Sequence, residues 1–175
     1  MAKLALYTFG VLRDLYHSDA LRDFSGSVSS ILATLAVSEG FIAHAGQARP
    51  DLRGAAEVGE DYGPWGPYTT PRFFDQARRT SGASIIQTLS LWRDLKSAHS
   101  FSYGGLHRAA LKRRSEWFEH SQWPGYVLWW VSEEAFPTWS EGVRLLETLA
   151  DEGSTASGFD FAHLYDREGR PQAKI

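Results

Sequence analysis

Tyr103 and His107 are spaced so that together they could move a proton. Imidazole titrates near neutral pH and is the commonest general acid or base in enzymes. His107 lies at the start of a segment with helical periodicity, residues 105–118, and Tyr103 is one turn earlier if the helix bends gently at the intervening glycines. A Tyr–His pair of this kind could transfer a proton on a bound substrate. His107 could instead be a haem ligand or a hydrogen-bonded core residue, and Tyr103 a packed ring.

Two arginines interrupt the apolar lines of the same segment. One line holds His107, Leu111, Arg114 and Phe118, and the adjacent line holds Leu106, Ala110, Arg113 and Trp117. A guanidinium that faces a cavity must be paired, because an unpaired buried charge is very unfavourable. Arg113 or Arg114 could bind a substrate carboxylate or phenolate through two hydrogen bonds. The alternative is an internal ion pair with an acid such as Asp94 or Glu141.

Aromatic residues are concentrated between Trp92 and Trp130, a stretch that holds five of the seven tryptophans. A cluster of indoles forms either a core or a pocket for a flat apolar ligand. Trp129 and Trp130 point to opposite faces of one predicted strand. The substrate-binding set that we predict around His107 and Tyr103 is Arg113, Arg114, Trp92, Trp117, Trp130, His44 and Phe161. The alternatives are core positions for the tryptophans and a place at the sheet edge for His44.

Composition excludes several classes of protein. The chain has no cysteine, which excludes disulfides, thiolate catalysis, cysteine-ligated zinc and iron–sulfur clusters. The net charge of −3 argues against a nucleic-acid partner and against an anionic membrane surface. No apolar run reaches the roughly 18 residues of a membrane span, so a cytoplasmic location is expected. No metal-binding spacing and no phosphate or dinucleotide motif is present, and we expect no bound cofactor apart from the haem alternative.

The chain of 175 residues is predicted to form one domain, residues 1–175, of the α+β class. Strands are predicted at about 3–9, 41–48, 83–91, 126–131 and 159–165. The order of elements contains β-α-β-β-α-β, the ferredoxin-like plan with an antiparallel sheet and helices on one face. A Gly/Pro-rich connection at about 49–82 is either a packed flap or partly disordered. The polar tail from about residue 166 is expected to be loose.

The strand at 126–131 is apolar on both of its faces. An antiparallel sheet with one solvated face should alternate apolar with polar residues, and this strand does not. If the helices cover one face, a second copy of the chain is the simplest cover for the other. The sequence therefore predicts a homodimer with a dimeric α/β barrel. A cavity between sheet and helices would be lined by aromatic side chains.

Four segments of the chain resemble a bacterial domain family of unknown function. They are LSLWRDL (89–95), FSYGGLHRAALKRRSEWF (101–118), YVLWWV (126–131) and PTWSEGVRLLETLADEG (137–153), which together with the residues between them span 65 of the 175 residues. Phe136 stands where the family pattern has a histidine. The resemblance implies the dimeric α/β-barrel group, which also holds antibiotic-biosynthesis monooxygenases and haem-degrading enzymes. The order of Trp92 and His107 is loosely similar to the order of a tryptophan and the haem-ligating histidine in the haem-degrading enzymes.

These observations together predict a small-molecule enzyme that acts on an aromatic or polycyclic substrate, in specialised, antibiotic-like metabolism. The expected chemistry is cofactor-independent acid/base catalysis, such as cyclisation, condensation or isomerisation, or else oxygenation. One alternative is a haem-binding or haem-degrading protein. The other is a non-catalytic module for ligand binding or dimerisation.

Overall fold

A four-stranded antiparallel sheet forms the centre of the molecule in the computed structural model, which describes residues 2–48 and 56–175. The strands are β1 (Lys3–Val11), β2 (Phe41–His44), β3 (Ile85–Trp92) and β4 (Tyr126–Val131). They lie in the order β2-β3-β1-β4, so the first strand is central and pairs with both β3 and β4. The α+β class and the antiparallel sheet are as predicted, and the strand order is consistent with a ferredoxin-like plan.

Six α-helices are found among the described residues. They are α1 (Arg22–Leu35), α2 (Gln76–Thr80), α3 (Leu95–Tyr103), α4 (Gly105–Lys112), α5 (Arg114–Trp117) and α6 (Trp139–Glu152). Asp94 caps α3 by accepting a hydrogen bond from Ser97 N at 2.8 Å, and Thr138 caps α6 in the same way. The helix expected over 105–118 is divided at Arg113 into α4 and α5. None of these helices is long and apolar enough to cross a membrane.

The two faces of the sheet are covered by different helices. One face, called here the α3 face, packs against the end of α1 and against α3, and its buried residues include Leu4, Leu6, Trp92 and Leu128. The opposite face, called the α6 face, packs against α6, and its buried residues include Ala5, Tyr7, Leu91 and Trp129. Because side chains alternate along a strand, neighbouring residues of β1 serve these two cores in turn.

The segment 56–74 completes the cover of the α6 face. Tyr62 and Tyr68 are buried and pack edge-on against Trp139, with ring centroids 5.5 and 5.0 Å away. Backbone hydrogen bonds close a wide turn within the segment, since Tyr68 N donates to the Glu60 carbonyl at 2.7 Å. This part of the predicted flap is therefore packed. The first seven residues of the flap, 49–55, lie outside the described residues.

The expectation that a second copy is the simplest cover for the other apolar face is corrected by this arrangement. The cover comes from α6 and from residues 56–74 of the same chain. The approach is close, because a Cβ on Gly142 of α6 would lie 2.9 Å from Cγ of Tyr7. The prediction placed the helices on one face, whereas α1 and α3 pack on the α3 face and α6 packs on the other. The apolar pattern of β4 thus carries no argument for a homodimer through this face.

The residues after β4 form short elements at the sheet edge. Phe159 exchanges two backbone hydrogen bonds with Leu128, at 2.8 and 2.9 Å, which extends the sheet locally. The strand expected over 159–165 is otherwise limited to β5 (Leu164–Tyr165). It pairs with β6 (Pro171–Gln172), so residues expected to be a loose tail form a small hairpin.

Candidate functional site

A row of hydroxyl groups crosses the α3 face of the sheet. Thr8 of β1 lies opposite Thr88 of β3 and opposite Tyr126 of β4, and paired residues share a face. The Thr8 and Thr88 Oγ1 atoms are 2.6 Å apart. The preceding residue of β1 on this face is Leu6, which is in the core. We call Thr8, Thr88 and Tyr126 the hydroxyl row.

The hydroxyl row is open to solvent at one end. Thr88 is exposed although its strand lies inside the sheet, because β2 ends at His44, opposite Ser90, and leaves the first half of β3 unflanked. Beyond the row, Phe118 covers Gly10 so closely that a Cβ there would lie 2.6 Å from the ring. The row is therefore a polar gap between two apolar covers.

Tyr126 is the most constrained member of the row. Its oxygen accepts a hydrogen bond from the Phe161 backbone N–H at 3.2 Å and lies 3.4 Å from the hydroxyl of Tyr103. Burial raises the pKa of Tyr126, and the neighbouring Tyr103 hydroxyl raises it further. The phenol therefore stays protonated at neutral pH and can donate a hydrogen bond.

Three rings stand beside Tyr126 and form what we call the aromatic wall: His99, Tyr103 and Phe161. Phe161 is central, with ring centroids 5.2 Å from His99, 5.6 Å from Tyr103 and 5.5 Å from Tyr126. His99 and Tyr103 are 4.8 Å apart on adjacent turns of α3. The wall joins one end of α3 to the C-terminal segment and is suited to contact a flat ligand.

His107 is held in one orientation by its surroundings. Its Nδ1 is 2.6 Å from the carbonyl oxygen of Ser102, and its ring stacks on Phe101 at 5.4 Å. Because a carbonyl only accepts, Nδ1 carries the hydrogen, and the neutral ring keeps its lone pair on Nε2. Phe101 also lines a depression of about 200 Å³ between α3 and the loop that follows α1.

The predicted Tyr103–His107 pair is not in direct contact. Within the described residues no hydrogen bond or ring contact joins the two side chains, and Tyr103 faces Tyr126 instead. The cause is the glycine break between α3 and α4, where Gly105 has a φ of 45° and α4 starts in a new direction. His107 stacks instead on Phe101, whose ring centroid lies 5.0 Å from that of the buried Trp92.

The two arginines lie at the surface. Arg113 pairs with Glu116 at 2.9 Å and with Asp23 at 3.1 Å, and its guanidinium sits 4.7 Å from the Trp117 ring centroid. This is the ion-pair alternative, with acids other than the two suggested by the sequence. Arg114 is exposed at the start of α5.

The tryptophans predicted to bind substrate are separated from one another. Trp92 is fully buried and donates from Nε1 to Ser90 Oγ at 2.9 Å, and Trp117 is buried against Phe24. Trp130 is half-buried at the far end of β4 and donates to the Tyr165 carbonyl at 2.9 Å. Two of these indoles therefore serve the core, and the third belongs to a different surface.

His44 lies at the end of the edge strand β2. It is half-buried, and burial lowers the pKa of its imidazole.

Of the residues predicted for the site, Tyr103 and Phe161 are gathered around Tyr126. Sequence reasoning missed Thr8, Thr88, Tyr126 and His99 as site residues. The available signal was Thr8, a polar residue that follows Leu4 and Leu6 on one side of an apolar strand.

Tyr126 is expected to make the fold sensitive to alkali. A phenol whose folded-state pKa is raised contributes stability that is present below the unfolded-state pKa, near 10, and lost as the pH rises above it. The difference in free energy of unfolding between the wild type and Tyr126→Phe should therefore shift in favour of the variant above about pH 10. Urea denaturation at neutral and alkaline pH measures this shift. A difference that does not change with pH would contradict it, and Tyr16→Phe is the control.

The fold and the site define an α+β protein with an antiparallel sheet, one face of which carries an open polar row beside an aromatic wall. The chain belongs to the family described as a domain of unknown function (DUF3291), whose model matches residues 3–174. A solved structure of a protein of unknown function from Nitrosomonas europaea is similar in broad outline. Its sequence is 12% identical, the match covers 78% of this chain and 93% of that chain, and the TM-score is 0.42. No curated protein matches the sequence.

Proposed function

We propose that the protein is a small-molecule enzyme that moves protons on an aromatic or polycyclic substrate bound over the hydroxyl row. The observation that carries this proposal is the row itself. Thr8, Thr88 and Tyr126 place three hydroxyls across the neighbouring strands β3, β1 and β4, on a face whose other buried side chains are largely apolar. A folding core gains nothing from an open polar strip at this position, whereas an oriented ligand needs a few fixed polar groups in an apolar setting.

The chemistry follows from the state of each group. A base removes a proton from a carbon next to a substrate carbonyl, and the electron pair of that C–H bond moves to the carbonyl oxygen. Tyr126 remains a neutral phenol and donates a hydrogen bond to the resulting oxyanion. His107 acts as the base, because its Nδ1–H is held by Ser102 and its Nε2 has no hydrogen-bond partner among the described residues. The aromatic wall holds the ring of the substrate.

This proton transfer is the shared first step of isomerisation, cyclisation and condensation. An enolate is also the species from which a cofactor-independent oxygenation starts. The family that the sequence resembles is expected to share its fold group with antibiotic-biosynthesis monooxygenases, and this supports a role in specialised metabolism. All the groups invoked come from one chain, so the proposed site is complete without a second copy. Light scattering of the purified protein would decide between a monomer of 19.6 kDa and the homodimer.

Proton exchange on a simple aromatic ketone tests the proposal. In deuterium oxide the protein is expected to accelerate loss of the α-proton NMR signal of β-tetralone relative to the same concentration of free imidazole. His107→Gln should reduce this acceleration by about 10²–10⁴-fold, the usual contribution of a general base. Tyr126→Phe should reduce it by about 10²-fold or more, since it removes an oxyanion donor.

The controls separate catalysis from folding. His120→Gln changes an exposed histidine and should leave the exchange rate unaltered. Circular dichroism and the urea midpoint establish whether each variant is folded. The proposal is wrong if wild-type protein exchanges the ketone no faster than imidazole, or if His107→Gln remains folded and fully active.

A haem protein is the second candidate, and one observation favours it. A ligating histidine usually donates its other ring N–H to a backbone carbonyl or a carboxylate, and His107 donates to Ser102 O. Haem added to the purified protein would then give a shifted Soret band that disappears in His107→Ala. An unchanged band in that variant removes this candidate.

A further inference from the structure

A groove runs along the α3 face at the opposite end of β4 from the hydroxyl row. Its volume is about 460 Å³, and it lies between the start of α3 and the β5–β6 hairpin, with Trp130 in its lining. Trp130 and Tyr126 are four residues apart on one strand, which corresponds to about 13 Å. The groove is therefore separate from the proposed site of proton transfer.

The charged groups of the groove are unevenly paired. Among the acids, Asp94 is used by Arg93 and by the α3 cap, and both Asp166 and Glu168 bind Arg170. These acids are therefore already satisfied.

Two cations of the groove remain uncommitted. In the part of the chain that the structure describes, neither Lys96 nor Arg167 pairs with a carboxylate, and each lines the groove. Arg167 makes one long hydrogen bond, 3.4 Å, to a backbone carbonyl. The charged side chains of the lining balance, with three acids and three bases, and Lys96 and Arg167 are the two cations whose N–H donors are available to bind an anion.

Trp130 supplies a flat apolar surface beside these cations. Its Nε1–H is fixed by the Tyr165 carbonyl at 2.9 Å, so the plane of the indole is set. The guanidinium of Arg167 lies 5.1 Å from the ring centroid. A planar guanidinium next to a fixed indole can bind a carboxylate while the attached ring contacts the indole.

We propose that this groove is a second ligand site, which binds a flat aromatic carboxylate. The carboxylate is bound by Lys96 and Arg167, and the aromatic ring lies along Trp130. The site does not depend on the hydroxyl row, on His107 or on any reaction there. It gives the protein a means of holding an anionic aromatic molecule apart from the position where protons are transferred.

Titration with naphthoate tests the proposal. Isothermal calorimetry should detect binding that weakens as salt is added, and NMR spectra of the indole N–H groups should show the Trp130 signal shift. Lys96→Ala and Arg167→Ala should each weaken binding about fivefold, the effect of losing one partly exposed charged contact. Naphthalenemethanol, the neutral analogue, should bind more weakly than naphthoate.

Matched variants make the outcome decisive. Lys112→Ala and Arg22→Ala remove exposed cations of α4 and α1 and should leave naphthoate binding unchanged. The proposal is overturned if naphthoate does not bind, if the neutral analogue binds equally well, or if folded Lys96→Ala and Arg167→Ala proteins bind as the wild type does. Binding that is lost in Tyr126→Phe instead would assign naphthoate to the hydroxyl row and would equally overturn the second site.

Discussion

Replacement of Trp139 by alanine is expected to lower the free energy of unfolding by about 3–5 kcal/mol, the range for deleting a large buried aromatic side chain. Trp139 is 3% exposed and is the point where three parts of the α6 face meet. Its ring contacts Tyr7 of β1 and both buried tyrosines of the segment 56–74. Removing it therefore loosens α6 and the segment from the sheet together.

Urea denaturation of the Trp139→Ala variant measures this loss, and hydrogen exchange locates it. The amides of Gly59 and Tyr68, which close the turn of the segment, should lose protection before those of β1. Phe136→Ala is the control, because Phe136 is 40% exposed. A loss of less than about 1 kcal/mol for Trp139→Ala would show that this indole is not central to the cover of the sheet.

Replacement of Trp92 by alanine is expected to have an effect of similar size, about 3–5 kcal/mol. Trp92 is completely buried on the α3 face between Phe41 and Phe101, with ring centroids 5.4 and 5.0 Å away. The substitution removes these contacts and leaves Ser90 without its indole donor. A loss of this size is a large part of the roughly 5–15 kcal/mol that stabilises a typical domain.

Trp130→Ala provides the comparison for Trp92→Ala. Because Trp130 is only half-buried, its replacement should lower the free energy of unfolding by much less. Trp92→Phe should fall between the two, since it keeps an aromatic ring but removes the hydrogen bond to Ser90. If Trp92→Ala has the same urea midpoint as the wild type, then Trp92 is not a core residue, and this result would favour the predicted role in substrate binding.

Several elements of the fold could be predicted because their signals are local. The run Tyr126–Val131 forms β4 as predicted. Thr138 caps the start of α6 and Gly153 ends it, and both residue types are common at these positions. The C-terminal end of β2 was harder to predict from the sequence. It was predicted over 41–48, and the sheet contains only Phe41–His44 because the chain turns at Ala45.

The place of α6 could not be predicted from its own sequence. An apolar stripe on a helix requires a surface to bury it, but the stripe does not say which of two apolar sheet faces supplies that surface. The close approach of Gly142 to Tyr7 belongs to residues 135 positions apart in the chain. This long-range contact decided that the chain covers its own sheet.

The sequence by itself determined the class of fold, the central antiparallel strands and the aromatic and imidazole groups available for chemistry, since these depend on residue type and periodicity. Only the tertiary structure decided which of these groups meet. Register placed Thr8 opposite both Thr88 and Tyr126, and the break at Gly104–Gly105 directed Tyr103 to Tyr126 and not to His107. Strand register and helix direction are set by packing across the whole sheet, so no local pattern could reveal the hydroxyl row as a unit.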